Sequence, residues 1–139
     1  MLRIVLDVNV LVSAAIRQSS IPGLVLNSWR AGLFELIVSA RLLAELLEVL
    51  GRSHLARFVT PADAEELIAA LEENATVVED PPAERVVPGD PDDDYLVALA
   101  RAGRAHVIVT GDAHLLEADL RPPAVRPHDF LARLEQLPL

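Results

Sequence analysis

Short apolar segments typical of β-strands alternate along this chain with longer segments typical of helices. Residues 2–7 (LRIVLD), 34–38 (FELIV) and 106–110 (HVIVT) are nearly unbroken apolar runs, as expected of strands that are covered on both faces. Strands that alternate with helices pair in parallel and carry the helices on both faces of the sheet. The sequence therefore predicts an α/β fold with three layers, α/β/α, around a central parallel sheet of about four or five strands.

The boundaries of the predicted elements come from capping residues and from hydrophobic periodicity. Ser39 and Thr60 are predicted helix N-caps, and Gly32 is a predicted C-cap. A proline-rich loop is expected over residues 80–91. The predicted strands are 2–7, 34–38, 75–79, 106–110 and 124–126, and the predicted helices are 10–17, 22–32, 40–51, 61–74, 92–103, 111–120 and a last one from about 127.

The length and composition of the chain limit its domain organisation and its chemistry. With 139 residues, of which 52% are hydrophobic, residues 1–139 are expected to form a single domain with one core. The chain contains no cysteine, which excludes disulfides, thiolate nucleophiles and Cys-ligated metals. All twelve basic residues are arginine, and the lack of lysine excludes a Walker-type phosphate loop and Schiff-base chemistry.

Hydropathy and net charge bear on location and partners. No apolar run approaches the roughly 20 residues of a membrane span, and the start of the sequence lacks the pattern of a signal peptide. We therefore expect a cytoplasmic protein with no membrane partner. The formal net charge of −9 disfavours binding to nucleic acid, which relies on basic side chains. Carboxylates that gather around divalent cations would weaken this objection, because the cations neutralise them.

Acidic side chains stand where two predicted strands end and where one predicted helix begins. Asp7 ends the first strand, Asp112 follows the strand 106–110, and Asp94 lies in the first turn of the preceding helix. In parallel sheets, functional sites form beyond the carboxyl ends of the strands. If the two strands are neighbours, their carboxylates meet at one edge of the sheet.

A fourth acidic residue can reach the same region from the helix 40–51. At about 100° per residue, five leucines of this helix form one apolar arc. Glu45 lies on the flank of the arc and can point inward, whereas Glu48 points nearly opposite to it. The alternative is that Glu45 and Glu48 form a surface charge ladder with Arg41.

Each of these residues also has a purely structural interpretation. Asp7 and Asp112 could cap helices or stabilise turns, and capping and helix-dipole effects explain Asp92 and Asp93. Asn9 could also be a cap, and Thr110 simply the end of a strand. The four histidines have no metal-ligand spacing, and the few aromatic residues are interpreted as core.

Taken together, the motifs resemble the PIN-domain ribonuclease family, which includes the VapC-type toxins of toxin–antitoxin pairs. The resemblance covers nearly the whole chain: an opening strand with Asp-x-Asn, a Ser…Glu-Leu helix, an Asp-led helix followed by a strand and Thr-Gly-Asp, and a closing helix. These motifs are IVLDVNVLVSA (4–14), VSARLLAELLEVL (38–50), DPDDDYLVALARAGRAHVIVTGDAHLL (90–116) and VRPHDFLARL (125–134).

The resemblance implies the residues of an active site. It assigns catalysis and metal binding to four acids, with Asn9 and Thr110 as supporting residues. Among the tandem aspartates, Asp94 matches best by its spacing to the apolar residues that follow, and Asp93 is the alternative. The four acids are Asp7, Glu45, Asp94 and Asp112.

The function implied is metal-dependent hydrolysis of RNA. Converging carboxylates stay ionised at little cost only with a cation between them, and Mg²⁺ and Mn²⁺ prefer hard oxygen ligands. The resemblance further implies a homodimer and, in the toxin interpretation, an antitoxin that covers the acidic crevice. The strongest alternative is a PIN-like domain that binds a metal or a partner without cutting RNA, which the net charge of −9 favours.

Overall fold

The computed structural model describes the backbone of residues 1–82 and 91–136 and the side chains of residues 1–82 and 94–136. Five strands and seven α-helices occur in this part of the chain, with a short 3₁₀ turn at Ser53–Leu55. The strands are β1 (Arg3–Leu6), β2 (Glu35–Val38), β3 (Thr76–Val77), β4 (Val107–Val109) and β5 (Ala124–Val125). The helices are α1 (Val8–Ile16), α2 (Ile21–Arg30), α3 (Ala40–Leu50), α4 (Pro61–Asn74), α5 (Pro91–Ala102), α6 (Ala113–Glu117) and α7 (Pro127–Glu135).

The five strands form one parallel sheet in the order β3-β2-β1-β4-β5. In the centre of the sheet, Leu6 pairs with Val109, and both side chains are fully buried or nearly so. The central strands β1, β2 and β4 are almost entirely apolar, because helices cover both of their faces. The predicted α/β class and three-layer architecture are confirmed.

Direct contacts join the helices into two layers. One layer is continuous through α7, α2, α1, α3 and α4, whereas α5 packs on β1 and β4 and α6 packs on β5. The chain moves outward from β1 to β3 and then returns to β4 on the other side of β1. Because parallel crossovers are right-handed, this reversal places α5 and α6 on the opposite face of the sheet, whereas α7 returns to the first layer beside α2. The reversal leaves a crevice between the carboxyl ends of β1 and β4.

The predicted caps form in the structure. The Ser39 hydroxyl accepts a hydrogen bond from the backbone of Leu42 at the start of α3. Thr60 and Asp63 form a reciprocal capping box at the start of α4. Gly32, two residues after α2, has a φ of +82°, which a glycine adopts without steric cost.

The differences from the predicted elements are small. The 3₁₀ turn at Ser53–Leu55 was not predicted, and β3 and α6 are shorter than the segments 75–79 and 111–120. Most of the predicted loop 80–91 lies outside the described residues. Among the helices of the described residues, none is long and apolar enough to cross a membrane.

Candidate active site

A hydrogen-bonded group of polar side chains lies at the carboxyl ends of β1 and β4. The backbone N–H of Asp7 donates to the carbonyl of Val109 at 3.0 Å, which places Asp7 beside Thr110. The Thr110 hydroxyl donates to Asp7 Oδ2 at 2.7 Å and accepts from the backbone N–H of Asp112 at 3.0 Å. One buried hydroxyl thus connects the two aspartates that the sequence places at neighbouring strand ends.

The environment of Asp7 opposes its negative charge. Burial is the largest influence and raises the pKa of Asp7 above its usual value, and the charge of Asp112 raises the pKa further. Hydrogen bonds from Thr110 and from the backbone of Asn9 and Val8 act in the opposite direction without cancelling the rise. A positive charge close to Asp7 would therefore stabilise its ionised form.

Asp7 and Asp112 also act as helix caps. Asp7 is the N-cap of α1 and accepts from the backbone of Asn9 at 3.4 Å, and Asp112 is the N-cap of α6 and accepts from the backbone of His114 at 2.7 Å. The structural interpretation from the sequence is therefore correct for both residues. Because a carboxylate has two oxygens with several lone pairs, capping does not exhaust its capacity to bind a cation.

Glu45 reaches the interior from α3, as its position on the helix predicts. Its carboxylate oxygen Oε2 accepts a hydrogen bond of 3.2 Å from the hydroxyl of Tyr95, which belongs to α5. Glu48 instead pairs with Arg52 on the surface at 3.0 Å. The two glutamates of this helix thus differ as expected: Glu45 is half-buried against another helix, and Glu48 is exposed.

Tyr95 lies in the middle of the charged groups. Its side chain is only 6% exposed, and the guanidinium of Arg41 lies 3.9 Å from the centroid of its ring. Burial is the main influence that raises the pKa of Tyr95, and the charges of Glu45 and Asp7 add to the effect, while Arg41 opposes it. The charge of Asp7 acts on the Tyr95 hydroxyl, which relates the Glu45–Tyr95 pair to the group formed by Asp7, Thr110 and Asp112. We refer to Asp7, Glu45, Thr110 and Asp112, together with Tyr95, as the acid centre.

Asp80 fixes the start of α3 next to this centre. Its carboxylate oxygen Oδ2 accepts a hydrogen bond of 2.9 Å from the backbone N–H of Arg41. With the Ser39 cap, this satisfies two of the free N–H groups at the start of the helix. Asp80 therefore helps to place Arg41 and, one helical turn later, Glu45.

Asp94, the third predicted ligand, is buried with 1% of its surface exposed. It lines a hollow of about 380 Å³ together with Pro81, Val97 and Arg101, among others. The side chains of Asp92 and Asp93 lie outside the described residues, so the structure does not test Asp93 as the alternative. The choice among the tandem aspartates stays a prediction.

The remaining predicted residues occupy simple positions. Asn9 is exposed, and its backbone N–H forms the Asp7 cap. Thr110 is fully buried, and its hydroxyl is in contact with both neighbouring aspartates as described above. Nδ1 of His114 lies 3.3 Å from Asp112 Oδ1, with His114 itself largely exposed.

The donor atoms of the acid centre are carboxylate and hydroxyl oxygens, which are the ligands that hard divalent cations prefer. In the described part of the chain, no three histidine, aspartate or glutamate side chains are placed to hold one ion. Mg²⁺ does not need such a group, since it usually keeps several waters and takes one or two carboxylates together with substrate phosphates. The repulsion between Asp7 and Asp112 across Thr110 gives the place where a cation would bring the largest relief.

From the sequence, no functional role was assigned to Tyr95 or Asp80, and Arg41 was named only as part of a possible surface charge ladder. Tyr95 was interpreted as core, which its burial supports, but the role of its hydroxyl was missed. Its position directly after the tandem aspartates is the signal that could have drawn attention to it. Nothing comparable marks Arg41 or Asp80.

Comparisons with known proteins bear on the family and the fold of this chain. The sequence model of the PIN domain matches residues 3–114, which is most of the chain. The crystal structure of PAE2754 from Pyrobaculum aerophilum superposes with a TM-score of 0.59 at 18% sequence identity, covering 98% of this chain and 91% of that chain. At this identity the likeness supports the fold alone. A comparison with curated proteins gives no match.

Proposed function

The chain belongs to the PIN domain family, and from this membership and the acid centre we propose that it is a metal-dependent endoribonuclease. PIN domains are generally nucleases, so a nuclease-type function is the premise of the proposal. We further propose that RNA is the substrate and that Mg²⁺ or Mn²⁺ is the cofactor. The residues proposed to bind the cation and to act on the RNA are Asp7, Glu45, Asp94 and Asp112.

One observation carries the proposal. The Thr110 hydroxyl connects Asp7 and Asp112 at the point where the strand order reverses, between β1 and β4. Open parallel sheets bind their ligands at such switch points. A purely structural pair of caps would not need a half-buried carboxylate whose pKa is raised by desolvation and by a second carboxylate nearby.

The side chains of the acid centre would divide the work. Asp7 and Asp112 would hold the cation, directly or through water, and Thr110 would fix their separation. Glu45 would orient the water that attacks the phosphodiester. A bound divalent cation would lower the pKa of water and stabilise the charge that develops on the phosphodiester oxygens.

The proposal predicts a cleavage activity that depends on added metal. The purified protein should cleave single-stranded RNA with Mn²⁺ or Mg²⁺, lose this activity in excess EDTA and regain it when Mn²⁺ is restored. The melting temperature in EDTA serves as the control that the protein stays folded. Cleavage that persists in EDTA, or no cleavage with either metal, would contradict the proposal.

The net charge of −9 favours a second candidate, a PIN domain that binds a metal or a partner without cutting RNA. In that case the protein would capture a partner in stoichiometric amounts and show no nuclease activity. The toxin role, a homodimer and an antitoxin that inserts an arginine or lysine into the acid centre are also proposals, which follow from the resemblance. A pull-down next to the cleavage assay separates the two candidates.

Thr110→Val tests whether the hydroxyl organises the acid centre. Valine keeps the size of the buried side chain but leaves Asp7 Oδ2 and the backbone N–H of Asp112 without this hydrogen-bond partner. We expect stability to fall by about 1–3 kcal/mol and cleavage to fall by about 10–100-fold. Urea denaturation and cleavage rates measure the two effects.

Thr110→Ser is the matched control, because it keeps the hydroxyl and removes only a methyl group. Its cleavage rate should stay within a few fold of wild type. If Thr110→Val cleaved RNA as fast as Thr110→Ser, the hydroxyl would have no part in organising the centre.

A further inference from the structure

The strongest unassigned contact near the acid centre is the hydrogen bond between Tyr95 and Glu45. It joins α5 to α3 across 50 positions of the sequence, with the hydroxyl donating to Oε2 at 3.2 Å. A hydrogen bond from a neutral donor to a carboxylate is worth more than one between two neutral groups. The contact therefore favours the conformation in which the glutamate carboxylate faces Tyr95.

The ring of Tyr95 is itself held from two sides. Its own helix packs on β1 and β4, and the next residues, Leu96 and Val97, are buried in the core. The Arg41 guanidinium stacks on the ring at 3.9 Å from its centroid, which is a cation–π arrangement. The hydroxyl thus presents its proton from a fixed position, whereas a glutamate has three rotatable bonds and no rigidity of its own.

The direction of the bond follows from the chemistry of the two groups. A carboxylate has no proton to give and can only accept, so the Tyr95 hydroxyl is the donor. This distinguishes the contact from a pair of acids that share a proton.

We infer that Tyr95 is a positioning residue, which holds the Glu45 carboxylate at the acid centre so that Glu45 can bind or orient what the centre holds. The inference rests on the proposed function and gives it an additional residue. It concerns the hydroxyl of Tyr95, since the ring alone would serve the core equally well.

Tyr95→Phe tests the inference because it removes the hydroxyl and keeps the ring under Arg41. We expect kcat for RNA cleavage to fall about tenfold and the affinity for Mn²⁺ alone, measured by calorimetry on the free protein, to fall three- to tenfold. KM for RNA should stay within twofold, since a residue that acts only through Glu45 does not contact the substrate. The melting temperature should fall by only a few degrees, because one hydrogen bond is lost and the ring stays buried.

Two further variants separate positioning from general structural effects. Thr76→Val removes another hydroxyl that donates to a glutamate, Glu35, which lies at the start of β2 and far along the sheet from Asp7. It should leave Mn²⁺ affinity and cleavage unchanged. In a Glu45→Gln background, Tyr95→Phe should cause no further loss of Mn²⁺ affinity, because the two residues act through one contact.

The outcomes separate this inference from the proposed function. Wild-type protein that binds Mn²⁺ but cuts no RNA would overturn the function, and the calorimetric comparison would still decide the role of Tyr95. Tyr95→Phe with wild-type kcat and Mn²⁺ affinity would overturn the inference and leave the function standing. A change in KM alone would also overturn it, because that result would indicate contact with RNA.

Discussion

Asp7→Asn is expected to abolish RNA cleavage, by more than about a hundredfold, in a protein that remains folded. A loss of this size exceeds the 10–100-fold range typical for residues that only support a metal ligand. The fold should tolerate the change because asparagine is as good an N-cap as aspartate and can still accept from Thr110 and from the backbone of Asn9. Cleavage rates and melting temperatures without metal measure the two effects.

The same variant should be more stable than wild type at neutral pH. The raised pKa of Asp7 means that the folded state disfavours the charged form. Below the usual pKa of 3.8, Asp7 is protonated in both states and contributes no destabilisation. As the pH rises from 3.8 to the folded-state pKa, the unfolded chain binds fewer protons than the folded protein, so stability falls. Above the folded-state pKa, the loss of stability is complete and no longer changes with pH.

Asp63→Asn is the matched control for this measurement. Hydrogen bonds from Thr60 lower the pKa of Asp63, which is fully exposed in the capping box of α4. The ionised Asp63 carboxylate stabilises the folded protein, whereas the ionised Asp7 carboxylate destabilises it. The stabilisation by Asp63 is present above its usual pKa and is lost as the pH falls through the lowered folded-state pKa. As the pH rises from 3 to 7, the urea midpoint of Asp7→Asn should therefore rise relative to that of wild type, and the midpoint of Asp63→Asn should fall. Asp63→Asn should cleave RNA normally. An Asp7→Asn protein that melts lower at pH 7 would show that the carboxylate is mainly a structural cap.

Asp94→Asn is expected to be the second large loss, again by more than about a hundredfold if Asp94 is a metal ligand. The comparison includes Asp92→Asn and Asp93→Asn, made in the same way. The spacing of Asp94 to the apolar residues of α5 favours it as the ligand, and Asp92 should tolerate the change because helix-start acids contribute only about 0.3–1 kcal/mol. Cleavage rates and Mn²⁺ affinity identify the ligand.

The burial of Asp94 suggests the alternative that this residue has a structural role and binds no metal. With 1% exposure in a hollow that Val97 and Arg101 also line, Asp94 could serve the packing of α5. In that case Asp94→Asn would lower the melting temperature by several degrees and leave Mn²⁺ affinity unchanged. A loss of cleavage in Asp93→Asn with normal stability would then assign the ligand to Asp93.

The sequence was sufficient for the order of the elements and named four of the five residues of the acid centre, Thr110 among them only through the resemblance. Apolar strands such as 106–110 can be recognised because both faces of a parallel sheet are covered. Asp7 and Asp112 follow such strands, and the geometry of a parallel sheet brings neighbouring strand ends together. The inward direction of Glu45 follows from helical periodicity, because the leucines of its helix fix which side faces the core.

Only the tertiary structure decided how these residues contact one another. A buried tyrosine and a buried phenylalanine give the same hydropathy pattern, so the bond from the Tyr95 hydroxyl to Glu45 could not be predicted. The same holds for Arg41, whose surface pairing and ring stacking are equally compatible with its position in α3. Periodicity and strand order determine which side of an element faces the core, whereas the partner of a polar atom depends on residues that are distant in sequence and meet only when the sheet and its helices have packed.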